Sequence, residues 1–208
     1  MKDNISSPLD TLAEIKHLME RSSRFISLSG LSGVFAGAYA LAGAFAAFRY
    51  LDARGIISSD NRAYTITTDD LIFFGADAAI VLILAIATGV FLTTRKAKQD
   101  GNSIFDASAK KLIINLCIPL FTGGLFCLAL VLHGPAFYIA PAMLIFYGLS
   151  LINASKYTLS DVRFLGIAEV ALGIISAFII GYGLIFWAIG FGVLHIIYGT
   201  YMYFKYER

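Results

Sequence analysis

Long runs of hydrophobic residues, separated by short polar segments, cover most of this chain. Four runs extend over residues 25–48, 71–94, 112–132 and 136–154, and two more lie within 163–204, joined at Gly181-Tyr182-Gly183. A helix needs about 20 consecutive apolar residues to cross the hydrocarbon core of a bilayer, and each run is close to that length. The pattern therefore predicts an all-α polytopic membrane protein whose six transmembrane helices form three antiparallel hairpins.

The first 24 residues follow a different pattern. Ser7-Pro8 is typical of a helix start, with a capping residue followed by proline at the first helical position. Leu12, Ile15 and Met19 then share one face, and charged residues cover the rest. We expect a cytoplasmic amphipathic helix at 1–24, lying on the membrane surface or against its own bundle, before a six-helix bundle at 25–208.

Composition agrees with a membrane protein, because 58% of the 208 residues are hydrophobic and only 14% are charged. A soluble domain would carry about 25% charged residues. The net charge of +2 is too small to argue for nucleic acid, and no basic patch is interleaved with aromatic residues. The expected partner is the lipid bilayer, with a second copy of the chain or another subunit of a membrane complex as a further candidate.

Basic residues are distributed unequally between the two sides of the predicted bundle. One side carries Lys or Arg four times before the first span, five times in the second loop, and twice each in the fourth loop and at the C-terminus. The opposite side has three, all in the first loop. The positive-inside rule then predicts a bacterial inner-membrane protein with both termini in the cytoplasm.

The polar first loop, residues 49–70, carries four aspartates and three arginines. We interpret it as a solvated loop rather than as a cation site.

Two local signals concern packing inside the bundle. Gly33 and Gly37 form a small-xxx-small pair, which predicts close helix contact along the first span. Pro119 removes the hydrogen bond that the Asn115 carbonyl would otherwise accept. Because that carbonyl needs another partner in a membrane, a kink or a polar pocket is expected there.

Glu169 and His195 are the most informative polar residues, since each lies 13 residues from Tyr182 at the last turn. On antiparallel helices that rise about 1.5 Å per residue, both lie roughly 20 Å from the turn and therefore at one depth. Each also lies on the small-residue stripe of its helix. A carboxylate in hydrocarbon needs a partner, and an imidazole can supply one. Two interpretations stay open: a hydrogen bond that locks the hairpin, or a functional site.

Other polar residues extend this candidate site. Asn115 and Asn153 belong to the same, cytoplasmic half of the bundle as Glu169 and His195, and together the four form the candidate polar site. Asp77, in the outer half, is a secondary candidate that could bind a proton or cation or could reach the interface by snorkelling.

No cofactor or metal is expected from the sequence. His133 and His195 lie at different depths, which argues against a haem held by both. The predicted spans have no deep lysine for retinal, and no metal-ligand or nucleotide-binding motif occurs. An intramembrane enzyme is the least supported class, because one acid and one base lack a visible nucleophile or metal set.

The last hairpin also carries a family resemblance. Residues 166–178, the Gly181-Tyr182-Gly183 turn and residues 190–199 resemble the glycine-punctuated hairpin repeat of small bacterial HdeD-like membrane proteins. The resemblance covers about a fifth of the chain. It implies a helical inner-membrane protein, often linked to stress, with no assigned chemistry.

These observations favour a non-catalytic membrane scaffold, sensor or accessory protein. The alternative is a small proton- or cation-linked permease or channel, with Glu169 as the acceptor and His195 as its coupled partner. Continuous water from one face to Glu169 would favour transport, whereas a dry, hydrogen-bonded pair would favour the scaffold.

Overall fold

A computed structural model describes residues 24–56, 67–99, 101 and 107–208, and within these ranges the protein is helical, with no strand. The amphipathic helix predicted for residues 1–24 lies outside the described residues except for Arg24. The six main helices are α1 (Gly30–Ala53), α2 (Thr68–Gln99), α3 (Ala107–His133), α4 (Ile139–Ala154), α5 (Val162–Phe178) and α6 (Gly183–Tyr206).

Five of the six helices are long and apolar enough to cross a membrane by length and composition. For α4 this length includes the 3₁₀ turns that flank it, Ala136–Tyr138 and Ser155–Tyr157. The sixth, α5, has 17 residues and is about 25 Å long, which is at the lower limit for a membrane span. The predicted all-α class is therefore confirmed for the described part of the chain.

The first helix begins later than its hydrophobic run. Residues Phe25 to Ser29 are not helical, because the backbone here bonds to the segment after α4. The Phe25 amide donates to the Tyr157 carbonyl at 2.8 Å, and the Thr158 hydroxyl donates to the Phe25 carbonyl at 2.7 Å. The second bond occupies the Phe25 carbonyl, which in a helix starting at residue 25 would accept from the Ser29 amide. The helix begins at Gly30, so the predicted start at residue 25 was wrong by five residues.

Glycines bring α1 and α6 into close contact. A Cβ atom on Gly37 would lie 2.6 Å from the Gly192 carbonyl oxygen, and one on Gly33 would lie 3.2 Å from the Gly199 Cα. Any side chain at these positions would push the two backbones apart. The small-residue pair of the first span thus packs closely, as predicted, and its partner is the last helix of the bundle.

A second glycine contact joins α4 to α5. A Cβ on Gly148 would lie 2.6 Å from the Gly166 carbonyl oxygen, and one on Gly166 would lie 2.7 Å from the Gly148 carbonyl oxygen. The two helices that contain these glycines make the most extensive helix contact in the described residues. The α4–α5 pair and the α1–α6 pair meet where the first half of α6 contacts α4 and α5.

The helices α2 and α3 lie outside these two pairs. Extensive contacts join α2 to α1 and α3 to α4. Most of their apolar side chains are exposed in the isolated chain, including Ile72, Ile83 and Phe91 on α2 and Ile118, Phe121 and Leu132 on α3. Exposed apolar side chains on this scale are typical of surfaces that face lipid or another membrane helix.

Polar contacts tie the ends of α1, α2 and α6 together. The Glu207 carboxylate accepts hydrogen bonds from the Gly30 amide and the Ser29 hydroxyl at the start of α1. Lys96, near the end of α2, donates to the Leu28 carbonyl at 2.9 Å and lies 3.6 Å from Glu207. A carboxylate at a helix N-terminus pairs with backbone amides that have no partner inside the helix.

Candidate functional site

Glu169 and His195 are brought together by α5 and α6. His195 Nδ1 lies 3.5 Å from Glu169 Oε1, so the pairing predicted by counting from Tyr182 is confirmed. The Glu169 side chain is completely enclosed, with 0% of it exposed, and His195 is 7% exposed. The turn also lies where it was expected, since α5 ends at Phe178 and α6 begins at Gly183.

Both nitrogens of the His195 ring have partners. Nδ1 lies 2.9 Å from the Gly190 carbonyl oxygen, and Nε2 lies 2.7 Å from the Tyr147 hydroxyl on α4. A carbonyl oxygen can only accept, so Nδ1 carries the hydrogen and donates it to Gly190. In a neutral imidazole Nε2 then accepts from the Tyr147 hydroxyl. The ring is therefore held in one tautomer by contacts with two helices.

Gly190 lies directly against Glu169. A Cβ atom at this position would be 2.5 Å from Glu169 Oε2, so the close approach requires glycine. Gly190 belongs to a π-helical segment, Ala188–Leu194, that interrupts α6 immediately before His195. Single π-helical turns within α-helices occur frequently at functional sites. Here the segment supplies both the backbone that covers Glu169 and the carbonyl that binds His195.

Aromatic rings enclose the imidazole on its other sides. The Tyr147 ring centroid is 5.3 Å from that of His195 and 5.0 Å from that of Phe191. Trp187 packs on Phe191 at 5.1 Å. These rings lie within ordinary aromatic packing distance and fix the orientation of Tyr147 toward His195.

The Glu169 carboxyl group has no hydrogen-bond partner within the described residues, at either oxygen. The 3.5 Å separation from Nδ1 is an ion-pair distance and is too long for a good hydrogen bond. The Nδ1 hydrogen is already donated to Gly190. An ionised carboxylate buried without donors is costly, so this arrangement suits a neutral carboxylic acid or a carboxylate with a cationic partner.

Asn115 and Asn153 form a second polar cluster between α3 and α4. Asn153 Nδ2 donates to the Asn115 backbone carbonyl at 2.9 Å and to Asn115 Oδ1 at 3.2 Å. This is the carbonyl that Pro119 leaves without its helical donor, so the expectation that it finds another partner is confirmed. Lys156 Nζ lies 3.4 Å from Asn153 Oδ1.

The two clusters are not connected by any hydrogen bond or ion pair that the structure gives for residues 107–208. Asn153 follows Tyr147 by six residues on α4, which is about 9 Å along the helix axis. The four-residue polar site predicted from the sequence is therefore two separate groups. Glu169 and His195 form one with Tyr147, and the two asparagines form the other.

Asp77 faces α1 rather than either cluster. Its carboxylate oxygens lie 3.2 and 3.3 Å from the position that a Cβ on Gly43 would occupy. The side chain is half-buried, and none of the described residues forms a hydrogen bond or ion pair with it.

Asp70, in the polar first loop by sequence, is instead the centre of a buried cluster. Its side chain is 0% exposed and pairs with Arg54 at the end of α1. The Tyr50 hydroxyl donates to it at 3.0 Å, and the Thr67 amide and hydroxyl donate at 2.8 and 2.6 Å. The interpretation of a solvated loop was wrong for Asp70. The Thr67-x-x-Asp70 spacing, a capping-box pattern at the start of α2, is the signal that could have identified it.

The role of Tyr147 and Gly190 was also missed. Tyr147 precedes a glycine in the segment Ile145-Phe146-Tyr147-Gly148, which is echoed by Ile196-Ile197-Tyr198-Gly199. That echo marks both glycines as close-contact positions, but it does not indicate which tyrosine reaches the histidine.

Among the residues that the structure describes, no group of three or more His, Cys, Asp or Glu side chains could hold a metal ion. Comparisons with protein families, curated proteins and solved structures find no match to this chain.

Proposed function

We propose that this chain is an integral membrane protein of the bacterial inner membrane, with six membrane-crossing helices in three hairpins and both termini in the cytoplasm. The five long apolar helices, the exposed apolar surfaces of α2 and α3, and the distribution of basic residues support this proposal. The resemblance of the last hairpin to HdeD-like proteins agrees with the same location.

Within that membrane we propose a non-catalytic role as a sensor, scaffold or accessory protein. The observation that carries this proposal is the enclosure of Glu169, which is 0% exposed and covered by the Gly190 backbone. A transport site must be reached from one face or the other, and in this conformation the carboxyl group contacts neither. The ring of His195, fixed between α4 and α6, is suited to report a change at Glu169 to the helix contacts around it.

A proton- or cation-linked permease is the second candidate. It is favoured by the missing hydrogen bonds at Glu169, since a purely structural pair would have used both carboxylate oxygens. In that case Glu169 accepts the transported proton or cation and His195 is coupled to it. The aromatic contacts of Tyr147 and Phe191 would have to separate to admit water.

Reconstitution into liposomes distinguishes the two candidates. The protein is incorporated into vesicles that contain a pH-sensitive dye, and proton flux is measured after a pH step with and without a potassium diffusion potential. A sensor or scaffold gives the same flux as vesicles prepared without protein. Flux above that level that is lost in Glu169→Gln, with the variant still folded and inserted, would replace the first candidate with the second.

A further inference from the structure

The surroundings of Glu169 define what it can bind. The titratable group in contact with Glu169 is His195 on α6. Tyr147 on α4 lies on the other side of the His195 ring. Both are hydrogen-bond donors already used, Nδ1 toward the Gly190 carbonyl and the Tyr147 hydroxyl toward Nε2. No lysine or arginine of the described residues lies within ion-pair distance of Glu169. The carboxyl group is thus enclosed without the donors or the positive charge that an ionised form requires.

We propose that Glu169 is a proton-binding site, and that the proton is the species to which the proposed sensor responds. The enclosed conformation is the proton-bound one, in which the carboxyl group is neutral. The role of the proton as a signal rests on the proposed sensor function. Whether Glu169 carries a proton is a property of the folded chain and is tested separately.

A proton fits this site better than a metal cation does. Hard cations such as Na⁺ or Ca²⁺ take several oxygen ligands at once. Here the neighbour on one side is an imidazole N–H, which repels a cation, and on the other side the Gly190 backbone occupies the space beside Oε2. A proton needs one oxygen and no additional volume. The same argument excludes a larger organic cation.

Loss of the proton has a defined structural consequence. At alkaline pH, hydroxide that reaches the site when the contacts of Tyr147 and Phe191 separate takes the proton from the Glu169 O–H group and forms water. A carboxylate then remains beside Nδ1, which lies 3.5 Å from Oε1 in the enclosed conformation. That carboxylate competes with the Gly190 carbonyl for the one Nδ1 hydrogen, and a charged acceptor makes the stronger hydrogen bond. The Gly190 carbonyl then loses its side-chain partner inside the π-helical segment 188–194. Deprotonation therefore changes the hydrogen bonding of α6 at the position where it contacts α5.

Infrared spectroscopy tests the proton directly, because a protonated carboxyl group has a carbonyl stretch well separated from the amide and carboxylate bands. The protein in detergent is recorded at neutral pH and then across a titration to alkaline pH. We expect one protonated-carboxyl band at neutral pH that disappears on alkalinisation. Biosynthetic labelling with glutamate enriched in ¹³C at the side-chain carboxyl should shift this band, and the same label in aspartate should not.

Two variants assign the band to a residue. Glu169→Gln should abolish it, whereas the matched control Asp77→Asn, which removes the half-buried carboxylate on α2, should leave it. A band that is absent in the wild-type protein at neutral pH, or that shifts with labelled aspartate, would overturn the proposal. The isotope shift needs no variant and limits the band to the four glutamates of the chain. Glu207→Gln, which removes the hydrogen-bonded glutamate at the end of α6, should leave the band unchanged and is the second control.

The infrared band tests the proton site and the flux assay tests the proposed function, so a failure of one can be distinguished from a failure of the other. A protein with proton flux that is lost in Glu169→Gln, and with the expected band, would be a permease with a proton site. A protein with no flux and no band would keep the scaffold role and lose the proton site.

Discussion

Glu169 and His195 illustrate how strongly burial constrains a single side chain. The other fully enclosed acidic side chain of the described residues, Asp70, has its own donors and accepts bonds from Tyr50, Arg54 and Thr67. Glu169 lacks them, although it lies against His195, the one buried histidine of the part of the chain that the structure describes. Two carboxyl groups that are equally enclosed therefore differ in their hydrogen bonding, since Asp70 is supplied with donors and Glu169 is not.

The energetic coupling of the pair is measurable. Glu169→Ala and His195→Ala each remove one side of the same contact, so their effects on the free energy of unfolding should be non-additive, with a coupling of about 0.5–3 kcal/mol. Unfolding in detergent, followed by circular dichroism, supplies the four values of the cycle. Pairing His195→Ala with Asp77→Asn is the control, and it should be additive. Additive effects for Glu169 and His195 would show that the 3.5 Å approach carries no interaction energy.

Asp161 lies in the segment between α4 and α5, and its interactions predict how the stability of the protein depends on pH. Its burial acts to raise the pKa of the carboxyl, but hydrogen bonds from Lys205 and Tyr206 and the charge of Lys205 outweigh this, so the pKa lies below its ordinary value. A lowered pKa stabilises the fold at pH values above the ordinary pKa of about 3.9, and this stabilisation is lost as the pH falls below it. Asp161→Asn should lower the melting temperature at pH 7 and reduce the difference between pH 7 and pH 3. An unchanged difference would contradict this assignment.

The helix pairs are built on glycine, and each glycine has a specific neighbour. A Cβ on Gly192 of α6 would lie 2.7 Å from Leu41 Cγ on α1. A larger side chain at position 192 would therefore collide with α1, not with α5.

Gly192→Leu should therefore destabilise the α1–α6 contact. Overpacking of a tight helix contact costs about 1–3 kcal/mol, and here the Leu41 side chain already fills the space that the new side chain would enter. Gly89→Leu on α2 is a matched control, since no atom lies within 4 Å of a Cβ built there. Thermal unfolding in detergent should show a lower melting temperature for Gly192→Leu alone. Equal melting temperatures for both variants would argue against the close contact.

The hydrogen bond to the Asn115 carbonyl predicts how strongly α3 is held to α4. Asn153→Ala removes its donor and should destabilise the α3–α4 contact by about 1 kcal/mol, within the range for hydrogen bonds between membrane helices. Pro119→Ala restores a backbone amide to the same carbonyl, so the cost of Asn153→Ala should be smaller in that background. A cost that is equal in both backgrounds would show that the bond to Asn115 Oδ1, not the one to the carbonyl, is the important one.

At the scale of the whole molecule, the chain closes on itself through its first and last described helices. Two consecutive hairpins, α1–α2 and α3–α4, pack as the sequence order suggests, but α5 packs mainly on α4 and α6 mainly on α1. The Glu169 site lies where these two pairs meet. The orientation of the bundle in the membrane is a prediction that a labelling experiment can test.

Single cysteines introduced beside the Gly181-Tyr182-Gly183 turn should react with a membrane-impermeant thiol reagent added to intact cells. Cysteines introduced near residue 208 should react only after the cytoplasmic side is exposed. Both expectations follow from the excess of basic residues on the side of the C-terminus. Replacement of the native Cys117 and Cys127 by serine removes background labelling. The reverse pattern would invert the orientation without affecting the helix contacts.

Much of the helical fold could be predicted from the sequence, because the helices coincide with long apolar runs separated by short polar segments. The Glu169–His195 contact could be predicted as well. Equal distance from the glycine-flanked turn at Tyr182 gives the two residues the same depth, and the small-residue stripes orient them toward each other. The contacts of Gly190 and Tyr147 could not, because they depend on a π-helical segment that no hydrophobic pattern encodes. The pairing of α6 with α1 could not be predicted either. Several helices carry small-residue stripes, and the sequence does not indicate which two of them pack together.

The contact between Glu207 and the start of α1 has a consequence for biosynthesis. The two residues that it joins, Gly30 and Glu207, are 177 positions apart, and at typical translation rates of about 5–20 residues per second this interval takes roughly 10 to 35 s. During that time α1 can pair with α2, but its glycine surface has no partner and its first amide has no acceptor from Glu207. The ribosome therefore delivers the first helix long before the segment that completes it, and the contact of α1 with Glu207 can form only at the end of synthesis.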